Sequence, residues 1–114
     1  MKACIAIIGA GGKTTAMRCL AHRLSAFSVL WTTTTHIVPA GAADCRRRLD
    51  APTAEELRAA LARPGVVCAG VPAGEKFTAL PPAVWAAGCE AADYILCEAD
   101  GAHRLPVKLH RPDE

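Results

Sequence analysis

The sequence has few aromatic residues, little net charge and no long uninterrupted apolar run. Aromatic side chains make up 4% of its 114 residues, whereas hydrophobic residues make up 52%. A net charge of +2 is too small to favour a nucleic acid or a membrane surface by itself. No segment approaches the roughly 18 apolar residues that a membrane-spanning helix needs. We therefore expect neither a membrane nor a nucleic acid as a partner, and a cytoplasmic location.

The cysteines lack the spacing of a metal or redox motif. No C-x-x-C pair occurs among them, and most lie in apolar segments, where cysteine behaves as a small buried hydrophobe. The six positions are Cys4, Cys19, Cys45, Cys68, Cys89 and Cys97.

A chain of this length predicts one domain, residues 1–114, with a core that buries roughly two thirds of the unfolded surface. The most informative stretch, Ile5 to Thr15, joins an apolar run to a glycine turn and a helical pattern. Its glycines leave backbone N–H groups free to converge on phosphate at the start of the helix. Lys13 would contact the β- and γ-phosphates, and the Thr14 hydroxyl would bind Mg²⁺. The predicted nucleotide-binding residues are Gly9, Ala10, Gly11, Gly12, Lys13, Thr14 and Thr15.

This loop is two residues shorter than the usual G-x-x-x-x-G-K-[ST] pattern, which would require glycine at Ile7. Mur-type ligases carry a similar short form. A dinucleotide fingerprint would need glycine at Thr14 and an acid where Thr32 to Thr35 stand. Phosphate binding is thus the better interpretation; the alternative is a plain glycine turn with a solvated lysine.

Later segments alternate between helix and strand patterns. Helical spacing continues to about Ser25, Thr53 and Glu56 form a capping box, and Pro81-Pro82 open a further helix. Strands are predicted at 29–33, 66–69 and 94–97. The alternation predicts an α/β fold, a P-loop NTPase-like three-layer α/β/α domain with a mainly parallel sheet. Residues 38–52, which include an arginine run, and residues 70–78 are predicted to be loops.

Polar residues follow two of the predicted strands, at the sheet edge where ligands of parallel sheets bind. After the second strand come four threonines and His36. One of Thr33 to Thr35 would supply a hydroxyl to Mg²⁺ or to a γ-phosphate, with Thr34 the predicted Mg²⁺ ligand, and His36 would polarise substrate. A pleated edge with a satisfied histidine is the alternative.

The last predicted strand ends in Glu98-Ala99-Asp100. An apolar strand closed by a carboxylate is the form of a Walker B strand. Glu98 would bind Mg²⁺, and Asp100 would position the attacking water. With Lys13, these are the predicted catalytic residues, and two surface acids capping a turn are the alternative.

Three segments, Gly9 to Thr15, Thr32 to Ile37 and Glu98 to Lys108, resemble the YqeC family in content and order. The resemblance implies an NTP-binding accessory protein for the maturation of selenium-dependent molybdenum hydroxylases. It also implies ATP or GTP with Mg²⁺ as cofactors, and a molybdenum hydroxylase or its cofactor as partner. Because family members continue further, we expect an incomplete domain whose open sheet edge favours self-association.

Two other functions stay open from the sequence. The short loop is also compatible with an ATP-dependent ligase or kinase, which would need an acceptor other than water. The second is a non-catalytic chaperone in which nucleotide switches a binding surface. Cys97 or His36 would then hold a metal or selenium.

Overall fold

The computed structural model describes residues 2–7, 13–37, 39, 41 and 43–99. Within them the chain forms a mixed, mostly parallel sheet of seven strands and three helices. The strands are β1 (Ala3–Ile7), β2 (Ser28–Thr33), β3 (His36–Ile37), β4 (Arg47–Asp50), β5 (Gly65–Ala73), β6 (Lys76–Thr78) and β7 (Tyr94–Glu98). The helices are α1 (Lys13–Arg23), α2 (Ala54–Leu61) and α3 (Pro82–Ala91).

Five strands pair in parallel, in the order β1-β7-β2-β5-β4. The last strand in sequence therefore lies between the first two. The far end of β5 pairs antiparallel with β6, which pairs antiparallel with β3. The prediction of an α/β fold with a mainly parallel sheet is confirmed, and the sheet is mixed because of this extension.

One face of the sheet packs against α2 and α3. Because side chains alternate along a strand, Leu30, Val67 and Ile95 point to the same face. They share a buried cluster with Leu57 of α2 and Val84 of α3. We call this surface the α2/α3 face.

The other face packs against α1. Val29, Trp31 and Leu96 belong to a second buried cluster, which contains Met17 and Ala21 of α1. We call this surface the α1 face. Both faces of the parallel sheet are thus covered, as apolar strands of this kind require.

Local sequence features explain where α2 and α3 begin. The Thr53 hydroxyl accepts a hydrogen bond from the Glu56 N–H at 3.1 Å, and the Thr53 N–H donates to Glu56 Oε1 at 2.9 Å. This is the predicted capping box, and it begins α2. Pro82 is the first residue of α3, where its missing N–H and fixed φ are harmless.

Two segments predicted to be loops contain strands. Residues 47–50, inside the predicted loop 38–52, form β4, in which only Leu49 is buried. An edge strand with one buried side chain shows little of the apolar and polar alternation that identifies a strand in a sequence. Its exposed arginines are typical of edges that are protected from further pairing. Residues 70–78 include the end of β5 and all of β6, where Phe77 is the buried residue. In both segments tertiary pairing outweighs a weak local pattern.

The described helices include none that is both long and apolar enough to cross a membrane.

Candidate functional site

Three parallel strands end level with one another at one edge of the sheet. In the register of the sheet, Glu98 of β7 lies opposite Ile7 of β1 on one side and opposite Thr33 of β2 on the other. Each of these residues is the last of its strand. Glu98 therefore lies between the ends of β1 and β2. β1 precedes the glycine-rich segment, and β2 precedes Thr34 and Thr35.

Strand alternation decides which face Glu98 occupies. Leu96, two residues earlier in β7, belongs to the cluster on the α1 face, so Glu98 points to that face too. Thr33 lies on the same face, two residues after Trp31. Glu98 is 7% exposed and Thr33 is fully buried. The buried side chain of Glu98 thus lies on the α1 face.

The strand-loop-helix unit has the predicted order. β1 ends at Ile7 and α1 begins at Lys13, so the predicted helix after the turn is confirmed. The first turn of α1 contains no acidic residue, and no carboxylate of its own competes for the N–H groups there. Thr15 is exposed.

Several predicted site residues lie outside the described residues. These are Gly9, Ala10, Gly11, Gly12 and Asp100, together with the side chains of Lys13 and Thr14, whose backbone opens α1. Their roles stay predictions.

Hydrogen bonds join the three strand ends. The Ala99 N–H donates to the Ile7 carbonyl at 3.0 Å. On the other side, the Thr33 hydroxyl donates to the Glu98 carbonyl at 2.8 Å, and the Thr34 N–H donates to the same oxygen at 3.2 Å. The backbone at Glu98 is thereby held by both neighbouring strands.

The threonine run divides between the two faces. Thr33 Oγ1 and Thr35 Oγ1 lie 3.5 Å apart, on the side of the strand ends where Glu98 lies. The Thr34 hydroxyl interacts instead with the thiol of Cys97, which belongs to the α2/α3 face. Thr32 is fully buried, and its hydroxyl has no hydrogen-bond partner among the residues that the structure describes. That Thr34 binds Mg²⁺ stays a prediction. The hydroxyls that lie close together at this edge are those of Thr33 and Thr35.

His36 lies in β3, opposite Thr78 of β6, and is exposed. It stands on the antiparallel extension of the sheet, not in the β1-β7-β2 group. The structure does not bring it into contact with Glu98.

The thiols near the sheet are held in the neutral form. Burial raises the pKa of Cys97 to about 12, with the nearby Cys4 thiol adding to the effect. Burial likewise raises the pKa of Cys4 to about 11, with a contribution from Cys89. A metal-binding or nucleophilic cysteine is a thiolate, so burial opposes both roles at these positions. In the described ranges, no three His, Cys, Asp or Glu side chains are arranged to hold a metal ion.

A second polar cluster surrounds a cavity of about 260 Å³ near the last turn of α1. Asp44 accepts a hydrogen bond from Arg18 Nε at 3.0 Å, and its other oxygen lies 3.2 Å from His22 Nε2. Cys45 also lines the cavity, and its thiol donates to the Gly41 carbonyl at 3.4 Å. The two Asp44 contacts join this residue to α1. No sequence motif pointed to them, because the partners are far apart in the chain.

Comparison with known proteins agrees with the resemblance of the three segments. Searches of the curated proteins and of the solved structures found no match. The model of the YqeC family, described as YqeC protein, matches residues 5–114. That match includes the last three residues of β1, the glycine-rich segment, the threonine run and the strand that ends in Glu98. The chain belongs to the YqeC family.

Proposed function

We propose that the chain is a Mg²⁺-dependent NTP-binding protein with an NTPase activity, built on a P-loop NTPase-like arrangement. The observation that carries the proposal is the position of Glu98, a buried carboxylate between the ends of β1 and β2 on the α1 face. A carboxylate at the end of a strand, beside the strand that leads into a glycine-rich segment and a helix, suits the binding of a metal-bound phosphate.

The residues at this edge fit Mg²⁺ bound to a nucleotide. Mg²⁺ takes oxygen ligands, commonly one or two carboxylates together with substrate phosphates. Glu98 would provide the carboxylate and Thr14 a hydroxyl. Thr34, the further predicted ligand, would have to turn its hydroxyl away from the Cys97 thiol on the opposite face to join them. The metal would neutralise charge on the phosphates when bound.

The other residues of the proposed site bind and orient the nucleotide. The loop Gly9 to Thr15 would donate backbone N–H groups, and Lys13 would place a positive charge at the β- and γ-phosphates. Asp100, directly beyond the strand, would position the attacking water. The hydrogen bonds at Glu98 hold the backbone from which the carboxylate extends, which limits the reorganisation needed when charge develops.

We further propose that this activity serves the maturation of selenium-dependent molybdenum hydroxylases. Membership of the YqeC family supports this role. The alternative of a chaperone that uses Cys97 as a soft ligand is less favoured, because that thiol is 1% exposed and its pKa is raised to about 12. An ATP-dependent ligase or kinase would use the same phosphate site, and only its acceptor would differ.

The first test is the Lys13→Ala variant. Loss of a charge-assisted contact worth roughly 1.5–3 kcal/mol should weaken nucleotide binding about ten- to a hundredfold. Calorimetric titration with ATP and GTP in the presence of Mg²⁺ measures this. Lys76→Ala removes an exposed lysine of β6 and should leave the affinity unchanged.

Unchanged affinity in Lys13→Ala, or no binding of either nucleotide by the unmodified chain, would overturn the assignment. Phosphate release then separates the reaction classes. An NTPase releases phosphate without an added acceptor, whereas a ligase or kinase does not.

A further inference from the structure

The Thr33 hydroxyl makes two hydrogen bonds at the point where β2 ends. It donates to the carbonyl oxygen of Glu98 at 2.8 Å and accepts the Thr35 N–H at 2.9 Å. The side chain is completely buried. Both the donor and the acceptor capacity of this hydroxyl are therefore used inside the protein.

These side-chain hydrogen bonds are additional to the backbone bonds that pair β2 with β7. In a parallel ladder the backbone groups pair with one another, and side chains are not needed. At Glu98 the carbonyl receives the Thr34 N–H at 3.2 Å and, in addition, the shorter bond from the Thr33 hydroxyl. A valine at this position would suit the strand equally well but could not make that bond.

The bonded residue is the proposed metal ligand. Its backbone is fixed from the β2 side by Thr33 and from the β1 side by the Ala99 N–H, which donates to the Ile7 carbonyl at 3.0 Å. The carboxylate of Glu98 extends from this fixed backbone on the face where Thr33 also lies. Partners that orient a metal ligand commonly change metal affinity when they are removed, although they never touch the metal.

We propose that Thr33 is a positioning residue for the metal site: its buried hydroxyl sets the backbone of Glu98, and thereby the carboxylate that would bind Mg²⁺. The inference rests on the proposed nucleotide and Mg²⁺ binding at this edge. Thr33 acts through Glu98 and does not itself contact the nucleotide.

The Thr33→Val variant tests the role, because it keeps the β-branched shape and removes only the hydroxyl. Nucleotide affinity is titrated against Mg²⁺ concentration and again in EDTA. We expect the Mg²⁺ concentration needed for half-maximal binding to rise roughly tenfold, with metal-free nucleotide binding changed much less. Thr33→Ser, which retains the hydroxyl, should restore the Mg²⁺ dependence of the unmodified chain.

Thr78→Val is the matched control. The Thr78 hydroxyl also donates to a strand carbonyl, that of Val71 at 3.0 Å, but it lies on the antiparallel extension. Its removal should lower thermal stability without changing the Mg²⁺ requirement. If Thr33→Val does not fold, Thr33→Cys, whose thiol is a weak donor, replaces it and should give a smaller shift in the same direction.

The outcomes separate this inference from the function on which it rests. If the unmodified chain binds nucleotide with Mg²⁺ but Thr33→Val and Thr78→Val have the same Mg²⁺ requirement, the positioning role is wrong and the function stands. If Thr33→Val weakens binding equally with Mg²⁺ and in EDTA, Thr33 is merely structural. If the unmodified chain binds no nucleotide, both proposals fall.

Discussion

At the scale of single residues, Cys4 and Cys97 differ from Cys19 in their contact with water. Cys4 is 6% exposed and Cys97 is 1% exposed, whereas Cys19 lies on the exposed side of α1. Desolvation disfavours the thiolate, so the pKa values of the two buried thiols rise to about 11 and about 12. The sequence-based interpretation of these cysteines as buried hydrophobes is confirmed for Cys4, Cys68 and Cys97 and is wrong for Cys19.

These shifts predict a loss of stability at alkaline pH. An unfolded cysteine ionises near its ordinary pKa of 9.0, while Cys97 in the fold stays protonated up to about 12. Above pH 9 the unfolded state therefore binds fewer protons, and the free energy of unfolding falls as pH rises. Each pH unit within this window lowers the free energy of unfolding by about 1.4 kcal/mol per buried thiol.

The Cys97→Val variant removes the ionisable group while keeping an apolar side chain on the strand. Urea unfolding at pH 8 and at pH 10.5 should show a smaller loss of stability in this variant than in the unmodified chain. Cys19→Ser changes an exposed cysteine and should retain the original loss. Equal losses in Cys97→Val and the unmodified chain would contradict the assigned cause.

At the scale of the elements, two glycines permit close packing, and their surroundings differ. A Cβ added to Gly70 of β5 would lie 2.6 Å from Phe77 Cβ, an atom close to the backbone of β6. A Cβ added to Gly88 of α3 would lie 2.7 Å from Leu30 Cδ2, the end of a flexible side chain. The first contact can be relieved only by moving a strand, whereas the second can be relieved by rotating a leucine.

We therefore expect Gly70→Ala to destabilise the fold by about 1–3 kcal/mol. Gly88→Ala should have a smaller effect, because alanine is favoured over glycine inside a helix by roughly 0.5–1 kcal/mol and this gain offsets part of the crowding. Denaturant midpoints of the two variants measure the difference. A larger loss in Gly88→Ala would show that the packing of α3 on Leu30 is the tighter constraint.

At the scale of the whole molecule, β1 is the outer strand of the parallel sheet. Among the described residues it pairs with β7 only, and its sequence from Ala3 to Ile7 contains no charge and no proline. This strand therefore has neither the charge nor the proline that often protects an edge from pairing with another chain. The opposite side of the sheet has such protection in the arginines of β4.

This asymmetry predicts that the chain self-associates through β1. Light scattering over a range of protein concentrations should show an apparent mass that rises with concentration. Ala3→Lys places a charge on the strand and should reduce the association. Ala59→Lys, the same substitution on an exposed position of α2, should leave it unchanged. A monomer at every concentration would contradict the prediction.

Much of the local structure follows from the sequence. The apolar run before the glycine turn, the capping box at Thr53 and the proline start of α3 each depend on neighbouring residues, and each is confirmed. β3, β4 and β6 were missed, because short strands with one buried residue have almost no pattern of their own. Predictions failed where pairing with another strand, not local preference, forms the element.

The sequence alone determined the candidate parts of the site: a glycine turn with lysine, a run of threonines and an acid at the end of a strand. Only the tertiary structure decided how some of them meet. Thr33 and Glu98 are 65 residues apart in the chain, yet a hydrogen bond of 2.8 Å joins them. The insertion of β7 between β1 and β2 brings them together, and it depends on burying the apolar faces of all three strands at once. That burial is a property of the whole sheet, which no local pattern contains, and it also decides that the Thr33 hydroxyl bonds to the backbone carbonyl of the acid, beside the Thr34 N–H.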